Sequence, residues 1–259
     1  MKSRKTVFFS LLAGCALLAL AISCGTIDRV VMAPPLIPGA KYVGMDTCAT
    51  CHEKVVKKFK LTQHARMQIV ADEKRVPGQG CEGCHGPGSL HVDAGGGRGK
   101  FIVNAGKNAE ACFQCHIDKK AEFNLPHHHP LKEGKMTCIS CHDPHGEDIR
   151  KPKGLMMARA NDTCYQCHRQ QARPHVYEHQ AMREGCTTCH NVHGSINEKM
   201  LVQRDVNLCL KCHAQINNTA GNVMIGTRNH NTFVNQGTCW SSGCHEASHG
   251  SNINAHFRY

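Results

Sequence analysis

Sixteen cysteines beyond residue 24 fall into eight close pairs, and a histidine directly follows each pair. Seven pairs have the spacing CxxCH: Cys48/Cys51/His52, Cys81/Cys84/His85, Cys112/Cys115/His116, Cys138/Cys141/His142, Cys164/Cys167/His168, Cys186/Cys189/His190 and Cys209/Cys212/His213. The eighth, Cys239-Trp-Ser-Ser-Gly-Cys244-His245, places four residues between its cysteines. Two thiols at the shorter spacing can add as thioethers across the vinyl groups of one haem, and the histidine next in sequence then reaches the iron as proximal ligand. A lone CxxCH would also suit a redox dithiol or half of a zinc site. Zinc does not need a histidine immediately after the second cysteine, yet the chain places one there in eight cases of eight. The longer loop between Cys239 and Cys244 could instead close as a disulfide hairpin; His245 and the lack of any other unpaired cysteine favour haem. The expectation is eight covalently held haem c groups on sixteen thioether cysteines and eight proximal histidines.

Few elements are available to position these motifs. The 259 residues include 18 Cys, 20 His, 24 Gly and 10 Pro, against eight Phe, four Tyr and one Trp. Mean hydropathy is −0.39. Such a chain has little apolar material for a polypeptide core, so bound cofactors must supply the rest. A β-sandwich, a Rossmann fold and a TIM barrel are poorly supported. Successive motifs begin 22 to 33 residues apart, a loose repeat with one cofactor per segment. The expected fold is a multihaem cytochrome c: mostly irregular loops and short α-helices around a linear haem array, with little β. A helix is expected over 53–63, and Gly-rich polar loops over 86–89 and 93–99.

The N-terminus reads as an export signal. Lys2, Arg4 and Lys5 precede an uncharged apolar run over 6–23, and both Cys15 and Cys24 sit where a lipobox cysteine would. The alternative is an uncleaved anchor, since such a run is near the minimum for a bilayer span. Residues 1–24 are assigned to the signal, 25–41 to a Pro-containing tether and 42–259 to the cytochrome domain. Export implies an oxidising compartment, in which unpaired thiols rarely persist. Removing the three basic residues of the signal leaves 28 basic against 20 acidic residues. Eight haems bring about −16 in propionates and about +8 in ferric centres, so the basic excess pairs with propionates. Nucleic acid is therefore not an expected partner.

Twelve histidines lie outside the motifs, enough to close eight sixth positions on iron. Saturated iron carries electrons, whereas a haem enzyme needs an open face. His145 follows His142 by three residues, His193 follows His190 by three, and His249 follows His245 by four. A histidine so close to a proximal ligand cannot reach the far face of the same haem and is expected to serve another iron.

The motifs extend beyond CxxCH. They include Tyr42-Val-Gly with Gln63-His64-Ala65, Cys81-Glu-Gly-Cys-His-Gly-Pro-Gly-Ser-Leu-His91, and His128-His-Pro-Leu-Lys-Glu-Gly134 running to Cys138-Ile-Ser-Cys-His-Asp-Pro-His145-Gly. His179-Gln-Ala-Met-Arg-Glu-Gly185 runs in parallel to His190-Asn-Val-His193-Gly, and the chain closes with His245-Glu-Ala-Ser-His249-Gly. On these strings the chain, from Tyr42 onward, resembles the MtrA/DmsE-like periplasmic multihaem c-type cytochromes. The resemblance implies distal ligands at His64, His91, His128, His145, His179, His193, His230 and His249, leaving His127, His129, His175 and His256 unassigned. Well-known members hold ten haems and this chain offers eight. The resemblance also implies an electron-transfer protein without a catalytic site, conducting electrons across the outer membrane inside a β-barrel porin toward acceptors such as metal oxides. Expected partners are that porin, an outer-surface multihaem cytochrome and periplasmic electron-donor cytochromes; the expected location is the periplasm, at the outer membrane. Eight irons on the order of 10 Å apart would extend roughly 70 Å, against about 30 Å of hydrocarbon. A soluble periplasmic shuttle and, further off, an octahaem reductase are the alternatives.

Overall fold

The computed structural model describes residues 35–66, 80–146, 161–172, 174–204, 206–213, 221–234, 237–241 and 243–258, with the backbone of further elements at 30–31, 68–71, 74–76, 156–160 and 215–217. The export signal and the lipobox cysteines Cys15 and Cys24 lie outside the described residues. Loops dominate. The longest element, helix α1 (Met45–Phe59), carries the first motif and breaks at His52, where φ is −110° and ψ 35°. Its second half buries Val56 and Phe59, one turn apart, and the exposed Glu53–Lys57 ion pair on the outer face adds only a few tenths of a kcal/mol. The helix ends at Phe59, short of residue 63, because Lys60 to Thr62 fold into tight turns back onto Lys58 and Phe59.

The other helices last one to three turns: α2 (Glu82–His85), α3 (Ser89–Asp93), α4 (Glu110–Phe113), α5 (Ile117–Glu122), α6 (Met156–Tyr165), α7 (Ala181–Glu184) and α8 (Val206–Leu210). Such lengths are not stable alone and must be held by what they pack against. Strand content is small. β1 (Val30–Val31) pairs parallel with β2 (Gln68–Ala71), which pairs antiparallel with β3 (Lys74–Val76). β4 (Tyr177–Glu178) pairs with β8 (Gly250–Ser251). β5 (Gln215–Asn217), β6 (Val223–Ile225) and β7 (Arg228–Asn229) form an antiparallel meander.

Among the described residues only Val56, Phe59, Phe113, Phe123, Leu201 and Ala247 are buried hydrophobics. That is far too little to hold a chain of this length, so the organising centre is not a side-chain core. It is a continuous channel of about 4570 Å³ lined by all sixteen motif cysteines and by every motif histidine. One polar anchor closes the N-terminal end. Glu82, between the cysteines of the second motif and 1% exposed, accepts hydrogen bonds from the backbone N–H of Val43 (3.0 Å), Gly44 (2.9 Å) and Gly88 (2.8 Å). It thereby fixes the start of α1 against the second motif. The expected tether is fastened at its end as well: Lys41 and Ser89 exchange two hydrogen bonds. No described helix is long and apolar enough to cross a membrane.

Candidate functional site

A shared backbone turn shapes the motifs. In the second to seventh, the histidine N–H donates to the carbonyl of the first cysteine at 2.9–3.0 Å, and the second cysteine's N–H donates to the same carbonyl at 3.2 Å. The eighth closes the same way despite its two extra residues: the His245 N–H reaches the Cys239 carbonyl at 2.9 Å. The insertion is absorbed by a turn from Thr238 to Ser241 and by Gly243 at φ 74°, a left-handed conformation that glycine adopts without strain. Cys239 and Cys244 are not joined as a disulfide.

First cysteines of neighbouring motifs meet in pairs: Cys48 with Cys81, Cys112 with Cys138, Cys164 with Cys186 and Cys209 with Cys239. In each pair one thiol is pushed up, chiefly by its hydrogen bond to the other and then by burial. The second is held down by that same bond, to about 7 at Cys138, Cys186 and Cys239. Second cysteines link the pairs. Burial, and then the neighbouring thiol, raises Cys84 beside Cys115, Cys141 beside Cys164 and Cys189 beside Cys212. The contacts alternate along the chain, so motifs one to eight follow one another in space as they do in sequence.

Six pairs of imidazoles face each other across the channel. His64 and His116 lie 6.2 Å apart between centroids, His85 and His145 5.9 Å, His129 and His168 6.0 Å, His142 and His193 6.1 Å, His179 and His213 6.1 Å, and His190 and His249 6.2 Å. Two metal–imidazole bonds of about 2.0 Å, plus the half-width of each ring, place centroids about 6 Å apart. The spacing therefore fits one iron between each pair. The channel volume, shared among eight motifs, gives about 570 Å³ each, within the roughly 300–1,000 Å³ of a pocket for one ligand of that size. No group of three or more His, Cys, Asp or Glu converges as a zinc site would, among the described residues.

The facing histidines come from distant motifs. His145, His193 and His249 face His85, His142 and His190, none of them the histidine of its own motif. His129 stands where His128 was expected. The His128 ring donates from Nδ1 to the His129 carbonyl at 2.9 Å and turns Nε2 toward Glu133, 3.8 Å away. The string His127-His-His129 carries no mark that tells these rings apart. Their orientation is decided by the pairing of His127 with Ser195, which brings the Val192 carbonyl within 2.7 Å of His129 Nδ1. Among the described residues no ring faces His52 or His245 at such a distance.

Backbone carbonyls orient the rings. Nδ1 bonds to a carbonyl in His85 (Val103), His91 (Lys100), His129 (Val192), His179 (Ser248), His190 (Lys199), His230 (Arg228) and His245 (His256). This fixes the tautomer and leaves Nε2 as a donor for a metal. The left-handed non-glycine residues, Phe101, Lys199, Met200 and Phe257, all lie at or directly after these carbonyls. Backbone strain is thus concentrated where histidines are aimed. Burial pushes His145, His193 and His249 below the ordinary histidine value, which keeps them neutral as a ligand must be.

Comparison with known proteins identifies the motifs and a relative. A family model described as a doubled CXXCH motif matches residues 128–173 and 179–218. Over 270 residues the chain is 31% identical to the multiheme cytochrome MtrA of Shewanella baltica (strain OS185), with 81% of this chain and 79% of that protein covered.

Proposed function

We propose that this chain, which belongs to the MtrA family of multihaem c-type cytochromes, holds eight haems and carries electrons across the outer membrane inside a porin, toward acceptors outside the cell. The observation that carries the reading is the set of six facing histidine pairs strung along an array in sequence order. Each bound haem supplies an iron that accepts and releases one electron. The chain's own residues do the rest. The sixteen motif cysteines would hold the groups covalently, and His52, His85, His116, His142, His168, His190, His213 and His245 would each supply one ligand to iron. His64, His145, His193, His129, His249 and His179 would supply the second ligand in the pairs given above, and His91 and His230 would serve the two terminal sites. Both of these rings carry the Nδ1-to-carbonyl bond that frees Nε2.

Two histidines at each of the six facing sites leave no open face for substrate there, which supports transfer over catalysis. The facing histidines skip a motif each time, for example from the first motif's neighbour His64 to the third motif's His116. Such stitching holds neighbouring sites at fixed separation, as a conductor requires. Charged porphyrin edges are costly to place in hydrocarbon, and a protein sleeve removes that cost. The export signal would deliver the chain to the periplasm, where a lipid on Cys24 or Cys15 would hold it at the outer membrane.

The test is a liposome enclosing a redox dye, with reductant outside. Dye is expected to respond only when this cytochrome and its β-barrel are reconstituted together, with an outer-face cytochrome to hand electrons on. A cytochrome that binds no barrel and exchanges electrons only with soluble periplasmic cytochromes would be a shuttle, and the conduit reading would be wrong.

A further inference from the structure

One facing histidine, His193, has a carboxylate within hydrogen-bond distance of its ring, closer than the 3.9 Å that separates His145 Nδ1 from Asp143. His193 Nδ1 bonds at 3.1 Å to the Glu122 Oε2 carboxylate oxygen, whereas the seven rings described above bond to backbone carbonyls. The contact is sheltered, with side-chain exposures of 22% for His193 and 26% for Glu122. Phe123, itself buried, covers the ring at 5.4 Å. The other carboxylate oxygen of Glu122 is held by Lys119 at 2.5 Å, and Lys119 also reaches Asp118 at 3.3 Å. Gly194 makes the approach possible: a Cβ there would collide with the Glu122 carbonyl.

We propose that Glu122 is a positioning and tuning residue that makes the haem attached at Cys138 and Cys141 a low-potential site in the middle of the array. The inference rests on the ligation reading, in which His142 and His193 hold that iron. A carboxylate accepting the Nδ1 proton draws it away from the ring and makes Nε2 a stronger electron donor than a ring bonded to a neutral carbonyl. Extra donation stabilises ferric over ferrous iron, and the negative charge nearby acts in the same direction. Lys119 shares the carboxylate and moderates both effects. The fourth site of eight thus sits uphill for an arriving electron.

The test uses the full holoprotein, titrated spectroelectrochemically with the low-spin ferric EPR signals followed at each potential. Glu122→Gln keeps an acceptor for Nδ1 but removes the charge. It is expected to shift one haem's reduced-to-oxidised ratio tenfold to a hundredfold toward reduced at a fixed potential, about 59 to 118 mV upward at 59 mV per tenfold. Gly194→Ala, which separates the two groups, should shift the same haem in the same direction. Lys119→Met, which frees the carboxylate, should shift it in the opposite direction. Every iron stays low-spin in all three. Should Glu122→Gln and Lys119→Met leave every potential in place, or move one haem in the same direction, the inference is overturned. If Glu122→Gln does not load haem, the sign found for Lys119→Met decides. His193→Gly separates the two levels of the argument: it should turn one iron high-spin. If it does not, the ligation reading fails; if it does and the other variants shift nothing, the tuning inference alone fails.

Discussion

Replacing His129 by glycine removes one of two imidazoles whose centroids stand 6.0 Å apart across the channel, the other being His168. On the proposed ligation, the iron of a haem attached at Cys164 and Cys167 would keep His168 alone and become five-coordinate. If eight haems are bound, one iron in eight turns high-spin, and the ferric EPR spectrum should gain a high-spin signal integrating to that share. Replacing His128 by glycine is the matched control. His128 loses only its Nδ1 bond to the His129 carbonyl and a 3.8 Å contact with Glu133, whose side chain is 47% exposed. A solvent-screened pair and a single hydrogen bond are together worth on the order of 1 kcal/mol. That corresponds to roughly 2–4 °C in Tm for a domain of this size, with no change of spin state. The family pattern by itself assigns the ligand to His128, so the two variants give opposite answers under the two assignments. A high-spin iron in the His128 variant, with the His129 variant unchanged, would refute the geometric argument.

Three further outcomes are expected. Replacing Cys239 and Cys244 together by alanine should lower the intact mass by one haem; an unchanged haem count would mean that the longer loop is not an attachment site. Glu82→Ala strands three N–H groups, a buried one at Gly88 and half-buried ones at Val43 and Gly44. At about 1 kcal/mol or more for each, Tm should fall by roughly 6–12 °C, and a melt within 2 °C of the parent would remove Glu82 from its anchoring role. Lys199→Gly should relieve the left-handed backbone at φ 55° and raise stability by about 1 kcal/mol. Lys199→Pro, locked near −65°, should swing the carbonyl away from His190 and alter one low-spin EPR signal; identical spectra in the two variants would count against the orienting role.

The attachment chemistry was legible in the primary structure because it is local. A haem's two vinyl groups demand two thiols within one turn, and its iron demands the next side chain, so CxxCH states cofactor, covalent link and proximal ligand in five residues. The scarcity of apolar side chains likewise foretold a fold of loops and short helices, since composition limits the core whatever the topology. The far-side partners are another matter. His64 meets His116 across 52 residues and His249 meets His190 across 59, and no periodicity records which of twelve spare rings closes on which site. His127, His128 and His129 are chemically identical in sequence; only the bridge from His127 to Ser195 and the carbonyl of Val192 turn His129 inward. Nothing in the sequence sets Glu122 apart from the chain's other acids. Its role depends on Gly194, 72 residues away, letting two backbones approach until a carboxylate replaces a carbonyl behind one ring. Covalent chemistry is specified by neighbours along the chain, whereas second ligands and their tuning depend on separations through space, and those exist only once the chain has folded around its array.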